Sequence, residues 1–350
     1  MGNPNLSASE PIAAMPERVI IDTDPGIDDA LALLLALRSP ELEVAAITTV
    51  SGNVPVAVAT RNVFTVLSLL PSCPRPPVAT GVSRPLEKEP VFATSVHGDD
   101  GLGGLGRYHD ASGRLRYSPP LATPSGRSAT EEILSHLSVS EPQVFTLIAL
   151  GPLTNIAHAI KRERATMARL KRIVLMGGAV TVAGNITPAA EFNMYVDPLA
   201  ASIVFEAGIP LTVVGLDVTR KVRLNRETME REVAPCQTVV SQFLCDCTSD
   251  LFAISEQREA HASFSLHDPL AIGVVIDPSF VTWEPMHIEI ERKGEVTEGM
   301  TVADRRPIQA AWKKPPNAEV CLDVNASRFL SFFLERLCPK SSSLGAPIQT

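Results

Sequence analysis

Four carboxylates crowd one short stretch near the start of the chain: Asp22, Asp24, Asp28 and Asp29, within VIIDTDPGIDDALALLLALRS, residues 19–39. Like charges this close repel one another, and the apolar flanks on both sides make their desolvation costly. Asp28 and Asp29 could serve only as favourable charges at the positive end of a helix dipole, worth roughly 0.3–1 kcal/mol each. That explains two of the four. A bound hard cation explains the set, because calcium takes about six to eight oxygen ligands and magnesium about six. The elements that must hold these residues are a short buried strand at Val19–Ile21, a turn at Pro25-Gly26, and an apolar helix from Ile27 to Arg38.

The same alternation continues along the chain. LEVAAITTVSGN, from Leu42 to Asn53, reads as a second parallel strand that ends in a polar turn, and Val54–Leu70 as a helix. Ala129–Leu137 has helical spacing. QVFTLIALGPLTNIAHAI reads as strand, Gly-Pro turn and helix; KRIVLMGGAV as a strand that ends at Gly177-Gly178; IPLTVVGLDVT as another strand. From Asn225 to about Ala260 the pattern is helical. Ser265–Pro278 opens on a charged pair and runs into an apolar helix. Strand and helix in strict alternation imply an α/β fold, a doubly wound, mostly parallel sheet with flanking helices and right-handed crossovers. HIEIERKGEVTEGMTVADRR alternates like a small antiparallel C-terminal part, and AEVCLDVNASRFLSFFLERL closes with a strand and an amphipathic helix. The Gly-rich HGDDGLGGLG, residues 97–106, lacks a phosphate-binding G-x-x-x-x-G-K-[ST] pattern and is either a mobile surface loop or a flap over a pocket.

Ligands in such sheets bind beyond the carboxyl ends of the strands. Several polar positions fall there: Asp22 to Asp29, Asn53, Leu150-Gly151, Gly177-Gly178 and Asp217. Each alone reads as a turn residue or helix cap; together they mark one rim. The totals fit an enzyme. At 350 residues the chain can bury a large core, and 45% hydrophobic with 20% charged residues is a globular composition. A net charge of −8 argues against a nucleic-acid partner and gives no attraction to an anionic membrane. The six cysteines complete no zinc box and read as reduced thiols. Residues 1–17 carry no signal-peptide pattern and read as a disordered leader, 18–340 as a single domain and 341–350 as a flexible tail; a cytoplasmic location follows by default.

DTDPGIDDALAL resembles the N-terminal signature of the calcium-dependent, inosine–uridine-preferring nucleoside hydrolase family. ALGPLTNIA, VLMGGAV, GNITPAAEFNMYVDPLAA, LHDPLAI and TEGMTVAD resemble its later motifs in the same order, so the likeness runs from Arg18 to Leu337. The resemblance implies the Rossmann-like fold of that family and hydrolysis of the N-glycosidic bond of purine or pyrimidine ribonucleosides, as in nucleoside catabolism and purine salvage. It implies Ca2+ held by Asp24, Asp29 and Asp268 with the main-chain carbonyl of Leu150, Asp22 beside or in that set, and Asp24 as general base for a calcium-bound water. Asp28 would contact the ribose diol; Asn53, Asn185, Glu191, Asn193 and the Met176 carbonyl would bind the sugar; His267 would face the leaving base. A homodimer or homotetramer is implied in the same way.

The residues suit that chemistry. Breaking the bond builds positive charge on the ribosyl ring, which a carboxylate-rich floor stabilises. Histidine titrates near neutrality and could protonate the base. One departure bears on base preference. Before His267-Asp268, where relatives often carry aromatic residues, this chain reads SDLFAISEQREAHASFSLHDP, with Phe252 and Phe264 but no tyrosine, and with Arg258 and His261 as alternative hydrogen-bonding groups. Two other readings compete. Asp22-Thr23-Asp24 after a strand also suits a haloacid-dehalogenase-type phosphatase, although Gly26 stands where that pattern carries Thr or Val. A non-catalytic nucleoside or ribose binder is the third.

Overall fold

A computed structural model describes residues 15–118, 122–257, 262–307 and 313–339. The expected tail, most of the expected leader, Arg258 and His261 lie outside the described residues. The first strand, β1 (Glu17–Thr23), begins at the last residue of the expected leader, where Glu17 pairs with Lys171 and Arg172. It leads through Asp24-Pro25-Gly26 into α1 (Ile27–Leu37). Val19, Ile20 and Ile21 are fully buried, because β1 lies between two parallel neighbours and carries apolar side chains to both faces. Helix α1 is Ala- and Leu-rich, which favours helix, and almost every residue of it is buried. Pro40 follows its end and cannot continue it.

The chain continues through β2 (Leu42–Thr49), α2 (Val56–Ser68), β3 (Val78–Thr80), the single turn α3 (Thr94–His97), α4 (Ala129–Val139), β4 (Phe145–Ala149), α5 (Thr154–Met167), β5 (Arg172–Met176), α6 (Phe192–Val196), α7 (Pro198–Phe205), β6 (Leu211–Val214) and α8 (Leu216–Thr219). Next come β7 (Arg223–Asn225), α9 (Arg226–Thr228), α10 (Val239–Glu256), β8 (Ser263–Ser265), α11 (His267–Ile276), β9 (Val281–Met286), β10 (Ile288–Ile290), β11 (Thr301–Ala303), β12 (Ala318–Val324) and α12 (Ala326–Leu337). The main sheet has eight strands in the order β3-β2-β1-β4-β5-β6-β12-β9. All its pairs are parallel except β12 with β9.

This is the expected doubly wound α/β architecture, with one addition. The stretch Val281–Met286 forms an antiparallel edge strand of the main sheet, although VTWEPM has no buried alternation to announce it. The expected closing strand, β12, joins the main sheet beside β6, and β10 with β11 forms the small antiparallel C-terminal part. Successive strands step one way from β1 to β3 and the other way from β4 to β6. The crevice at the carboxyl ends of β1 and β4 is therefore a topological switch point, where ligands of such folds bind.

Helix α11 lies against α1, and α12 covers α11. A Cβ at Gly273 would stand 2.3 Å from the Phe329 ring, so only glycine allows this approach. Phe280, Phe329, Phe332 and Phe333 pack at that end. The six cysteines are free, three of them buried and three half-buried. No helix among the described residues is long and apolar enough to cross a membrane.

Candidate active site

The turn after β1 is tied to the start of α1 by Asp29. Its carboxylate accepts from Thr23 Oγ1 (2.5 Å), from the backbone N–H of Asp24 and Gly26 (3.3 and 3.0 Å), and from Asn53 Nδ2 (3.0 Å). The Asn53 N–H donates to Asp24 Oδ2 (2.6 Å), so the turn after β2 is fastened to the turn after β1. Asp24 Oδ1 and Asp28 Oδ1 are buried with no hydrogen-bond partner. A Cβ at Gly151 would lie 2.4 Å from Asp24 Oδ1, and one at Gly52 would lie 2.0 Å from Oδ2. Backbone from two strand ends thus presses against this carboxylate.

From the opposite side α11 brings Asp268. Oxygens of Asp28, Asp29 and Asp268 lie within 4.8 Å of one another. Burial, reinforced by the charge of Asp29, holds Asp24 well above the usual carboxylate range. Burial and the charges of Asp28, Asp29 and Asp24 do the same to Asp268. Asp28 is pushed up to about 7 by burial and by Asp29. Asp22, within β1, rises to about 7 through burial, even though Thr48 Oγ1 and Asn155 Nδ2 donate to its Oδ1. A set of buried acids that cannot all ionise without compensation, three of them (Asp22, Asp24 and Asp28) with a partnerless oxygen, fits a divalent cation. Oxygen donors alone point to the calcium and magnesium class rather than to zinc or copper.

The sugar-side residues come from the ends of β2, β4 and β5. Asn193 Nδ2 donates to the carbonyls of Leu150 (2.7 Å) and Met176 (3.1 Å) and so holds both strand ends together. Glu191 caps α6 and accepts from the N–H groups of Gly178, Asn193 and Met194; burial raises its pKa. Asn185 Oδ1 accepts from Phe192 N–H (2.9 Å). Asp28, Asn53, Asn185, Glu191, Asn193 and Asp268 all line one cavity of about 360 Å³, with Leu150, Met176 and His267. Asp24 and Asp29 do not line it but both accept from Asn53, which does. The site residues expected from the sequence thus either line this cavity or bond a residue that does.

His267 Nδ1 is 2.7 Å from Thr219 Oγ1. Burial, then the positive charges of Arg220 and its neighbours, hold the imidazole down at about 4, so it is neutral at pH 7. The outer wall is apolar, with Phe92, Val96, Ile186, Leu251 and Phe264. Of the aromatics expected before the His-Asp pair, Phe264 lines the cavity, while Phe252 is buried behind it edge to face, with ring centroids 5.2 Å apart. Ser255 accepts from Ser263 N–H, and Glu256 pairs with Arg226.

Its place in a Gly-rich loop leaves the role of His97 open in the sequence. The structure buries it against the site, where its Nδ1 accepts the N–H of Ile27 (3.1 Å). By sequence, residues 97–106 are open to two readings, a mobile surface loop or a flap over a pocket; His97 at their start lines the cavity, Asp100 accepts from the N–H groups of Leu102, Gly104 and Leu105, and Asn62 holds the Asp100 carbonyl. Asp217 belongs to the fold, since it accepts from Val180 and Thr181 in the loop beyond β5.

An α/β sheet whose switch point holds a carboxylate nest beside a cavity lined by Asn and Glu suits a class of protein that binds a cation and a polyhydroxyl substrate. The comparisons agree. Residues 19–331 match the inosine-uridine preferring nucleoside hydrolase family. The pyrimidine-specific ribonucleoside hydrolase RihA of Salmonella gallinarum is 39% identical over 324 residues, which covers 91% of this chain and 97% of the relative. The solved structure of the plant nucleoside hydrolase PpNRh1 aligns with TM-score 0.83 at 32% identity, over 93% of this chain and 100% of that one. The purine-preferring ribonucleoside hydrolase from Gardnerella vaginalis aligns with TM-score 0.81 at 32% identity, over 92% and 98%. The chain belongs to the inosine–uridine-preferring nucleoside hydrolase family, and it is an N-glycosyl hydrolase of ribonucleosides. The phosphatase and pure-binder readings are set aside.

Proposed function

We propose that this hydrolase binds calcium through Asp24, Asp29, Asp268 and the Leu150 carbonyl, and that Asp24 is its general base. The observation that supports this most directly is the partnerless, fully buried Oδ1 of Asp24 beside the acids of α1 and α11. When bound, the cation supplies a Lewis acid that lowers the pKa of water beside it and offsets the charge of the nest. Asp24 Oδ2 is committed to Asn53 N–H, which leaves Oδ1 to face the attacking water and take its proton. Asp28 accepts from the ribose diol. Asn53, Asn185, Glu191 and Asn193 offer the remaining hydroxyls a partner each, since an unpaired buried hydroxyl costs about 1–3 kcal/mol. Positive charge that grows on the ring meets Asp28 and Glu191.

His267 acts on the leaving base as a neutral imidazole. In the tautomer in which Nδ1 accepts from the Thr219 hydroxyl, Nε2 carries the proton and can stabilise negative charge on the base. The apolar wall around Phe92, Val96 and Phe264 holds the base by contact. The proteins it resembles include both a pyrimidine-specific and a purine-preferring hydrolase, so the test must cover both base types. A cytoplasmic homo-oligomer is the accompanying expectation.

The test is release of free base and reducing sugar from inosine, guanosine, uridine and cytidine, measured after chelation and again after calcium is restored. Turnover that returns with calcium supports the proposal. Full turnover in excess chelator would remove the cation from it.

A further inference from the structure

The cavity is built from two segments that are distant in sequence. One wall is the loop beyond β3, which supplies Phe92, Ser95, Val96 and His97; the sugar-binding turn is Glu191 and Asn193 at the start of α6. Helix α6 is a single turn of five residues, too short to fix its own position by helix formation. Its N-terminal end is capped by Glu191. Its C-terminal end is met by a side chain from the segment that leads into the opposite wall. Lys88 Nζ donates to the Tyr195 carbonyl (2.9 Å), lies 3.8 Å from the centroid of the Tyr195 ring, and pairs with Glu298 (2.9 Å). Both partners are mostly shielded, with side-chain exposures of 22% and 31%.

Glu298 sits in the turn between β10 and β11, and that turn packs on the same helix. Gly299, at φ +79°, would place a Cβ 2.6 Å from the Tyr195 Cα, and Ala190 bridges to Met300. A second tie runs in parallel: Leu86 N–H donates to Asp197 Oδ2, which also accepts from Thr154 Oγ1.

We propose that Lys88 is a positioning residue for the sugar subsite. Its ammonium joins three chain segments: the loop that carries the cavity wall, the helix that carries Glu191 and Asn193, and the β10–β11 turn. A cation on the last carbonyls of a helix is favourable, and the aromatic face adds a cation–π contact. The arrangement sets the distance across the cavity between base wall and sugar turn, without touching the reacting atoms. Among the described residues its contacts are with Tyr195 and Glu298, not with the acids proposed to hold the cation, so its effect should fall on substrate binding rather than on the chemical step. The inference rests on the proposed assignment of Glu191 and Asn193 to the sugar.

The experiment measures kcat and KM separately for the best nucleoside, with calcium saturating, in the wild type, Lys88→Met, Lys88→Arg, Glu298→Gln and the double variant Lys88→Met/Glu298→Gln. Lys88→Met keeps the aliphatic stem and loses the charge. It is expected to raise KM roughly tenfold, in keeping with the loss of charged hydrogen bonds, with kcat changed less than about twofold. Lys88→Arg restores most of the KM. The double variant is no worse than Lys88→Met alone, because the pair acts as one unit. Thermal melts of each variant separate folding from positioning. An unchanged KM in Lys88→Met, or a fall in kcat that follows the loss of folded protein, overturns the proposal. An inactive wild type would instead overturn the assignment on which it rests.

Discussion

Asp24 has one oxygen on the Asn53 N–H and the other on nothing. A neutral amide in its place keeps the shape and removes a buried charge. Asp24→Asn should therefore lower kcat by roughly 10³-fold, the scale of a lost general base. In chelator at neutral pH it should raise stability by about 1–3 kcal/mol, because the fold no longer has to hold a buried carboxyl away from its ordinary ionised state; turnover assays and urea unfolding read the two effects. A variant with normal kcat would remove Asp24 from the chemistry. His97 gives a pH prediction of definite sign. Its Nδ1 accepts from Ile27 N–H, which needs the unprotonated ring, and burial lowers its pKa from 6.5 to about 4. The unfolded chain then binds the extra proton first. The contribution of His97 is fully present above pH 6.5 and is lost as the pH falls toward 4, for a total of about 3 kcal/mol. His97→Asn can still accept from Ile27 and cannot titrate. The stability lost between pH 7 and pH 4.5 should be smaller in that variant than in the wild type.

At the scale of elements, the site is a product of how strand ends approach one another. Gly52 and Gly151 come from the turns after β2 and β4, and both abut the Asp24 carboxylate. Gly151→Ala should displace that carboxylate and weaken calcium binding by about tenfold or more, with less effect on the fold than on the site; calorimetric titration of calcium into the chelated protein measures it. Unchanged affinity would show that the carboxylate tolerates the shift. Much of this arrangement was legible in the sequence. A β-branched run followed by Asp, Pro-Gly and an Ala/Leu helix has few other outcomes, and polar residues at successive strand ends must meet on one rim of a parallel sheet. Other parts left no such trace. The edge strand Val281–Met286 has exposed side chains and Pro285, so neither alternation nor propensity marks it. The pairing of β7 with β8 involves three residues each and depends on where α10 returns the chain. The glycines of residues 97–106 suggest mobility, yet the three N–H groups on Asp100 depend on the loop's own conformation rather than on residue type. Lys88 and Glu298 are ordinary surface residues by sequence, and only the tertiary fold brings them together.

For the whole molecule, the acid nest means that stability, metal and pH are one linked quantity. Asp22 and Asp28 rise from 3.8 to about 7 in the metal-free fold, chiefly through burial. Raised pKa values mean that the folded state holds these protons more tightly than the unfolded chain. The stabilisation they give is therefore complete below about pH 4 and is lost as the pH climbs through 7. A cation reverses this, because it binds the ionised carboxylates and expels their protons. At a calcium concentration one hundred times its Kd, the folded state gains about 2.7 kcal/mol by mass action. Competition with protons weakens that gain on the acid side. The difference in Tm between calcium and chelator should accordingly be large at pH 8 and small at pH 5. His97 titrates below pH 6.5 in the opposite sense, but it does so with or without the cation and largely cancels from this difference. Melting curves across that range, with calcium and with chelator, provide the check. An equal shift at both pH values would mean that the buried acids are not what the cation binds.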